Sequence, residues 1–162
     1  LDESIDIMLW ALNINDNEDI LCAYREQKNF VLDTIKIFDL EFKYHLDRYK
    51  YSSRYSDEKE FLSREEHRNE GIKHLKTLQS VLEKNNSRYL YKNKISFLDL
   101  ALFPLVRQYK IADISFFNEN IDIKLVNIWL ENLTNAIFFK NIMYKYAVWC
   151  SDTNPVYFEN SL

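Results

Sequence analysis

Ile95-Ser96-Phe97-Leu98-Asp99-Leu100-Ala101-Leu102-Phe103-Pro104 is the stretch on which the fold turns. The Ser96 hydroxyl can accept the amide of Asp99 while the Asp99 carboxylate returns to the amide of Ser96. That is a capping box with Asp in place of Glu or Gln. Ile95 before the cap and Leu100 after it supply the hydrophobic staple. From Leu100 to Val106 the chain is nearly all apolar, a pattern that suits a helix buried on most of its sides. A central buried, capped helix over about residues 96–110 is therefore expected, with Pro104 removing one backbone bond and bending it.

Outward from this helix, a single glycine (Gly71) and two prolines (Pro104 and Pro155) disfavour an extended β architecture, because hairpins rely on glycine for positive φ. The predicted class is all-α. Asparagines fall between the periodic segments at Asn13, Asn15, Asn17, Asn85, Asn86, Asn93, Asn118, Asn120 and Asn154, where their tolerance of the left-handed conformation can end helices. Ile5, Met8, Leu9 and Leu12 give a first helix over about Glu3 to Leu12, and a short one follows around Glu18 to Glu26. Val31, Ile35 and Phe38 mark a third stripe. After a break, an aromatic helix is predicted from Phe42 to Tyr51.

The longest predicted helix runs from Asp57 to Lys84, with its polar first half, Ser63 to Glu70, in solvent and Ile72, Leu75, Leu78 and Leu82 facing inward. Two further helices are predicted, about Ile123 to Leu133 and Ala136 to Tyr146. They should bury Val126, Trp129, Leu130 and Leu133, then Phe139, Ile142 and Met143. From Trp149 to Phe158 an irregular surface tail is expected.

With 162 residues, 47% of them hydrophobic, the chain can fill one core without disulfides or metal. Its net charge of −4 argues against nucleic acid or an anionic membrane surface as partner. Cys22 and Cys150 lie far apart with no CxxC spacing, which fits reduced thiols in a cytoplasmic protein. No apolar run approaches the ~18 residues needed to span a bilayer. The chain begins at Leu1 directly in a helical pattern, so it reads as part of a longer polypeptide.

These elements, in this order, resemble the helical C-terminal domain of glutathione transferases, and more narrowly the bacterial glutathione-transferase-like group. Ile95 to Pro104 is similar to the family's buried capped helix, and Arg107-Gln108, Trp129-Leu130 and the Lys145-Tyr146-x-Val-Trp149 ending strengthen the likeness. The resemblance implies that residues 1–12 are the last helix of a thioredoxin-like domain or its junction, that residues 13–162 are the helical domain, and that most of the thioredoxin-like partner domain lies upstream. Asp2-Glu3-Ser4 looks like the segment that holds the γ-glutamyl end of glutathione, the implied co-substrate. A helix N-terminus offers amides and a positive dipole end to a carboxylate, Ser4 adds a hydroxyl donor, and Glu3 could accept from the ammonium. Asp2 or Ser4 could equally serve as a plain helix cap.

Phe42 to Tyr51, with Arg54 and Tyr55, resembles the family segment that faces the electrophile. Tyr44, Arg48, Tyr51 and Tyr55 share one side of a helix, and a second-substrate pocket made from Tyr44, Arg48, Tyr51, Arg107 and Tyr109 is expected. A partly buried amphipathic helix with ion pairs is the alternative. No catalytic residue is assigned, because the family activates the thiol in its N-terminal domain. The whole protein is expected to be a homodimer that adds glutathione to a small electrophile or reduces a peroxide or disulfide; the alternative is a non-catalytic interaction module. His67 and His74 stand two helical turns apart and suit a charged surface better than a metal site. His45 is expected to bond locally, and Glu60 to pair with Arg64 on the helix surface.

Overall fold

The computed structural model of the chain describes residues 3–55 and 62–152. Among these residues the structure is helical with no strand: α1 (Ser4–Ile14), α2 (Cys22–Glu26), α3 (Lys28–Ile37), α4 (Lys43–Lys50), α5 (Arg64–Asn85), α6 (Phe97–Ala112), α7 (Ile114–Glu119), α8 (Lys124–Asn135) and α9 (Ile137–Ile142). α6 is the spine, packing on α2, α3, α4, α7 and α8. Its Phe97, Leu98, Leu102, Phe103, Val106 and Tyr109 are all buried. Pro104 sits inside the helix on its exposed side, and the helix continues past it.

The predicted capping box closes around Ser96 and Asp99. The Ser96 amide donates to the Asp99 carboxylate at 2.9 Å and the Ser96 hydroxyl at 2.6 Å. The other Asp99 oxygen accepts the Leu90 amide at 2.8 Å and the Trp129 indole N–H at 2.8 Å. The same carboxylate thus joins α6, the 86–96 connection and α8, a wider role than a cap. Burial pushes its pKa up, and the four donors oppose that.

Other ends are held across elements. Gln79 of α5 accepts the amides of Leu125 and Val126 at 2.8 and 3.3 Å, so one helix caps the start of another. Asp16 accepts the Ile20 and Leu21 amides at 2.6 and 3.0 Å ahead of α2. Glu26 takes the Tyr91 hydroxyl at 2.7 Å and Lys92 at 2.6 Å, which ties the 86–96 connection to α2. The Phe97 amide donates to the Ile20 carbonyl at 2.8 Å.

Several expectations are corrected. The break before Phe42 is absent: a π-helical segment, Phe38–Phe42, carries α3 into α4, and both of its end residues are buried. The polar start of α5 is not all in solvent, because His67 is only 4% exposed and Gly71 is buried. A second capping box, Ser63 with Glu66, starts this helix at Arg64; Glu60, and with it the predicted Glu60–Arg64 pair, lies outside the described residues. Arg64 donates to the Tyr49 and Ala112 carbonyls, each at 3.1 Å. α9 stops at Ile142, leaving Ile142 71% and Met143 43% exposed, while Phe139 alone of the predicted three packs on the core. Of the turn asparagines, Asn86 is left-handed at φ 44°, whereas Asn15 and Asn120 are extended and Asn118 is inside α7, an element that the apolar pattern did not suggest. Asn154, Pro155 and the tail beyond Asp152 fall outside the described residues.

Gly71 gives the Tyr109 ring of α6 room against α5. A Cβ there would stand 2.5 Å from Tyr109 Cε2, inside contact distance of a ring that has no room to move. Gly71→Ala should therefore lower stability by about 1–2 kcal/mol despite alanine's better helix propensity. Asp99→Ala, which strands four buried donors, should cost about 3–5 kcal/mol. Urea unfolding of the two variants checks both values and their order.

Candidate functional site

α4 carries Tyr44 outward because Leu46 and Tyr49 occupy the inward positions of the same helix. On the outer side Arg48 lies 3.6 Å from the Tyr44 ring centroid and 4.5 Å from that of Tyr55. The guanidinium is held between two aromatic faces, as cation–π attraction favours. Arg54 lies 4.4 Å and the Lys50 ammonium 4.8 Å from the Tyr51 ring, and Lys50 bonds Gln108 of α6. Tyr44 is 43% exposed, so part of this wall faces open solvent.

Beneath it the histidines meet. His45 Nδ1 and His67 Nδ1 are 2.9 Å apart, which replaces the local bond expected for His45 with one between helices. The His45 and His74 rings are 6.5 Å apart by centroid, and His74 packs edge-on against Phe38 and Phe42, each at 6.1 Å. Burial holds both His45 and His74 below the usual histidine pKa. Among the described residues no group of three ligands is set to hold a metal ion.

Of the five predicted pocket residues, the structure brings Tyr44 and Arg48 into contact, whereas Tyr51, and with it Tyr55, follows the end of α4 at Lys50 rather than continuing its face. Arg107 stands apart on α6 with its guanidinium 5.4 Å from the Phe139 ring. Tyr109 is a correction: it is 1% exposed, packs on Tyr49 at 5.0 Å and Phe42 at 5.5 Å, and donates to the Arg68 carbonyl. The spacing that put it beside Arg107 in sequence puts it on the opposite, inward side of the helix. Glu3 and Ser4 are exposed at the start of α1, with Glu3 in an extended cap conformation and no side-chain cap bond; Asp2 lies outside the described residues. A cleft of about 650 Å³, lined by Glu18, Ile20, Tyr89, Ile95, Leu100 and Phe138 among others, holds none of the predicted site residues. Its walls come from segments distant in sequence, and the sequence had marked Glu18, Asn93, Ile95 and Leu100 only as helix ends, turn and staple residues.

Residues 40–135 match the family model described as glutathione S-transferase, C-terminal domain. This is more than half of the chain. The chain belongs to that family. No curated protein and no solved structure matches it. Within this glutathione S-transferase C-terminal domain the matched region opens in the π-helical segment and closes at the last residue of α8. It holds the Tyr44–Arg48 wall, the histidines and Asp99, while α1, with Glu3 and Ser4, precedes it. No described helix is long and apolar enough to cross a membrane.

The two tyrosines that pack together in the core allow a direct comparison. Tyr109 has a partner for its hydroxyl and Tyr49, fully buried beside it, has none. Tyr109→Phe should cost about 1 kcal/mol, whereas Tyr49→Phe should be neutral or slightly stabilising. Chemical denaturation of the two variants distinguishes them.

Proposed function

We propose that this domain supplies the second-substrate wall of a glutathione transferase, and that a thioredoxin-like N-terminal domain of the full protein activates the glutathione thiol. The observation that supports this reading most is the Arg48 guanidinium clamped between Tyr44 of α4 and Tyr55 beyond the helix end, on a partly exposed surface. Such a wall can stack an aromatic or conjugated electrophile without rearranging, because the cation already fixes the tyrosine rings. Tyr51 extends the wall, Arg107 contributes only from a separate face, and Tyr109 acts from within by supporting Tyr49 under α4.

Glu3 and Ser4 are proposed to receive the γ-glutamyl end of glutathione. α1 is 11 residues long and opens on Ser4, so its first amides and the Ser4 hydroxyl lie together for a carboxylate. The proposed reaction joins the glutathione sulfur to an electrophilic carbon, or reduces a peroxide or disulfide. Homodimeric assembly and a cytoplasmic setting belong to the same reading, and the buried Cys22 thiol, which forms no disulfide among the described residues, is consistent with a reducing compartment.

A second reading, a non-catalytic interaction module, draws on α1: its outward residues Ile7, Trp10 and Ile14 are 49%, 55% and 69% exposed. An apolar stripe of that kind suits a protein partner. Isothermal titration of the full-length protein with glutathione separates the two. Binding that weakens about tenfold in Ser4→Ala supports the transferase, and absence of binding overturns it in favour of the module. For an aromatic electrophile, Arg48→Ala should raise KM about tenfold with the glutathione affinity unchanged.

A further inference from the structure

α4 packs along α5, and between them His45 Nδ1 meets His67 Nδ1 at 2.9 Å in a bond that depends on acidity. A nitrogen-to-nitrogen hydrogen bond needs one proton and one lone pair. The pair therefore stays bonded with both rings neutral, or with one ring cationic and donating to the other. Once both rings are cationic, two N–H groups and two positive charges face each other at bonding distance, and the bond must open. His67 is only 4% exposed, so little water is at hand to relieve that repulsion.

The pair also braces the outer wall. The Tyr44 ring meets His45 edge-on at 5.1 Å and His67 at 5.8 Å, and the Arg48 guanidinium lies 3.6 Å from its centroid. We propose that His45 and His67 form an acid-released latch between α4 and α5 that sets the position of Tyr44. Entry of the second proton opens the latch and frees Tyr44 from the histidines. This holds whether or not Tyr44 meets a substrate.

The charges around the pair act in both directions. Glu70 of α5 favours the protonated form of His45 and His74, and Glu41 of the π-helical segment favours that of His74. Arg48 of α4 and Lys73 of α5 oppose protonation of His45 and His74 respectively, and Glu66 of α5 senses the charge of His67. Burial is the largest influence on His45, with the proximity of His67 next, and both disfavour its cation. Since the folded value lies below the unfolded one, the unfolded chain takes up protons first on acidification. The stabilisation is then complete above the ordinary histidine value of 6.5 and is lost as pH falls through the folded value.

The test is an NMR titration of the histidine ring and Tyr44 signals in the wild-type chain from about pH 8 to about pH 5. The expected result is two linked steps shared by His45 and His67, the second well below the usual histidine range, with the Tyr44 signals moving in that second step. Urea unfolding adds an independent reading. Over the same range the folding equilibrium of the wild type should fall up to tenfold more per pH unit than that of His67→Gln, and His74→Gln should retain the wild-type dependence on the pair. Independent titration of His45 and His67 near the ordinary value, with Tyr44 unmoved, would overturn the latch. So would zinc(II) capturing both rings at neutral pH, which would make the pair a metal site.

Discussion

A carboxylate with no exposure to solvent accepts four hydrogen bonds where α6, α8 and the 86–96 connection meet. Burying an anion is unfavourable unless donors replace its lost water, and Asp99 has them on both oxygens. Each donor comes from a segment whose placement then becomes fixed: Ser96 at the helix start, Leu90 in the preceding connection and Trp129 in the middle of α8. The apolar residues of α6 supply bulk attraction, which is non-directional. Asp99 adds the direction, so that the spine helix meets the rest of the domain in one register.

From this anchor the domain extends to the functional face through close helix contacts. α6 carries Tyr109, which fits under α5 only because residue 71 lacks a side chain, and Tyr109 in turn supports Tyr49 on α4. With Tyr49 and Leu46 turned inward, Tyr44 and Arg48 are turned outward by the helical period. The aromatic wall is therefore the outer consequence of core packing on the other side of the same helix. The histidines occupy the boundary between these sides, with His45 and His74 partly buried and His67 almost wholly so.

Much of the helical layout was legible in the sequence because apolar periodicity and capping chemistry act over a few residues. The capped spine, the α5 stripe and the four buried residues of α8 follow from that local logic. Legibility failed where a distant element intervened. His67 lies in a polar stretch and is buried because α4 crosses it. Ile142 and Met143 continue an apolar pattern and are exposed because α9 ends before a neighbour covers them. At the site, Tyr44 and Arg48 were readable as one helix face, whereas Tyr109 proved to lie on the inward side of α6, which only packing against α4 and α7 shows.

The sequence by itself determined the all-helical class, the box at Ser96 and Asp99, and the shared face of Tyr44 and Arg48. Each is set by hydrogen bonds and rotations within a turn or two of helix. Only the tertiary structure decided that Asp99 also receives Leu90 and Trp129, that Gly71 admits Tyr109, and that His45 meets His67. These contacts join residues on different elements, and no local spacing encodes them, because their distance depends on how whole helices cross.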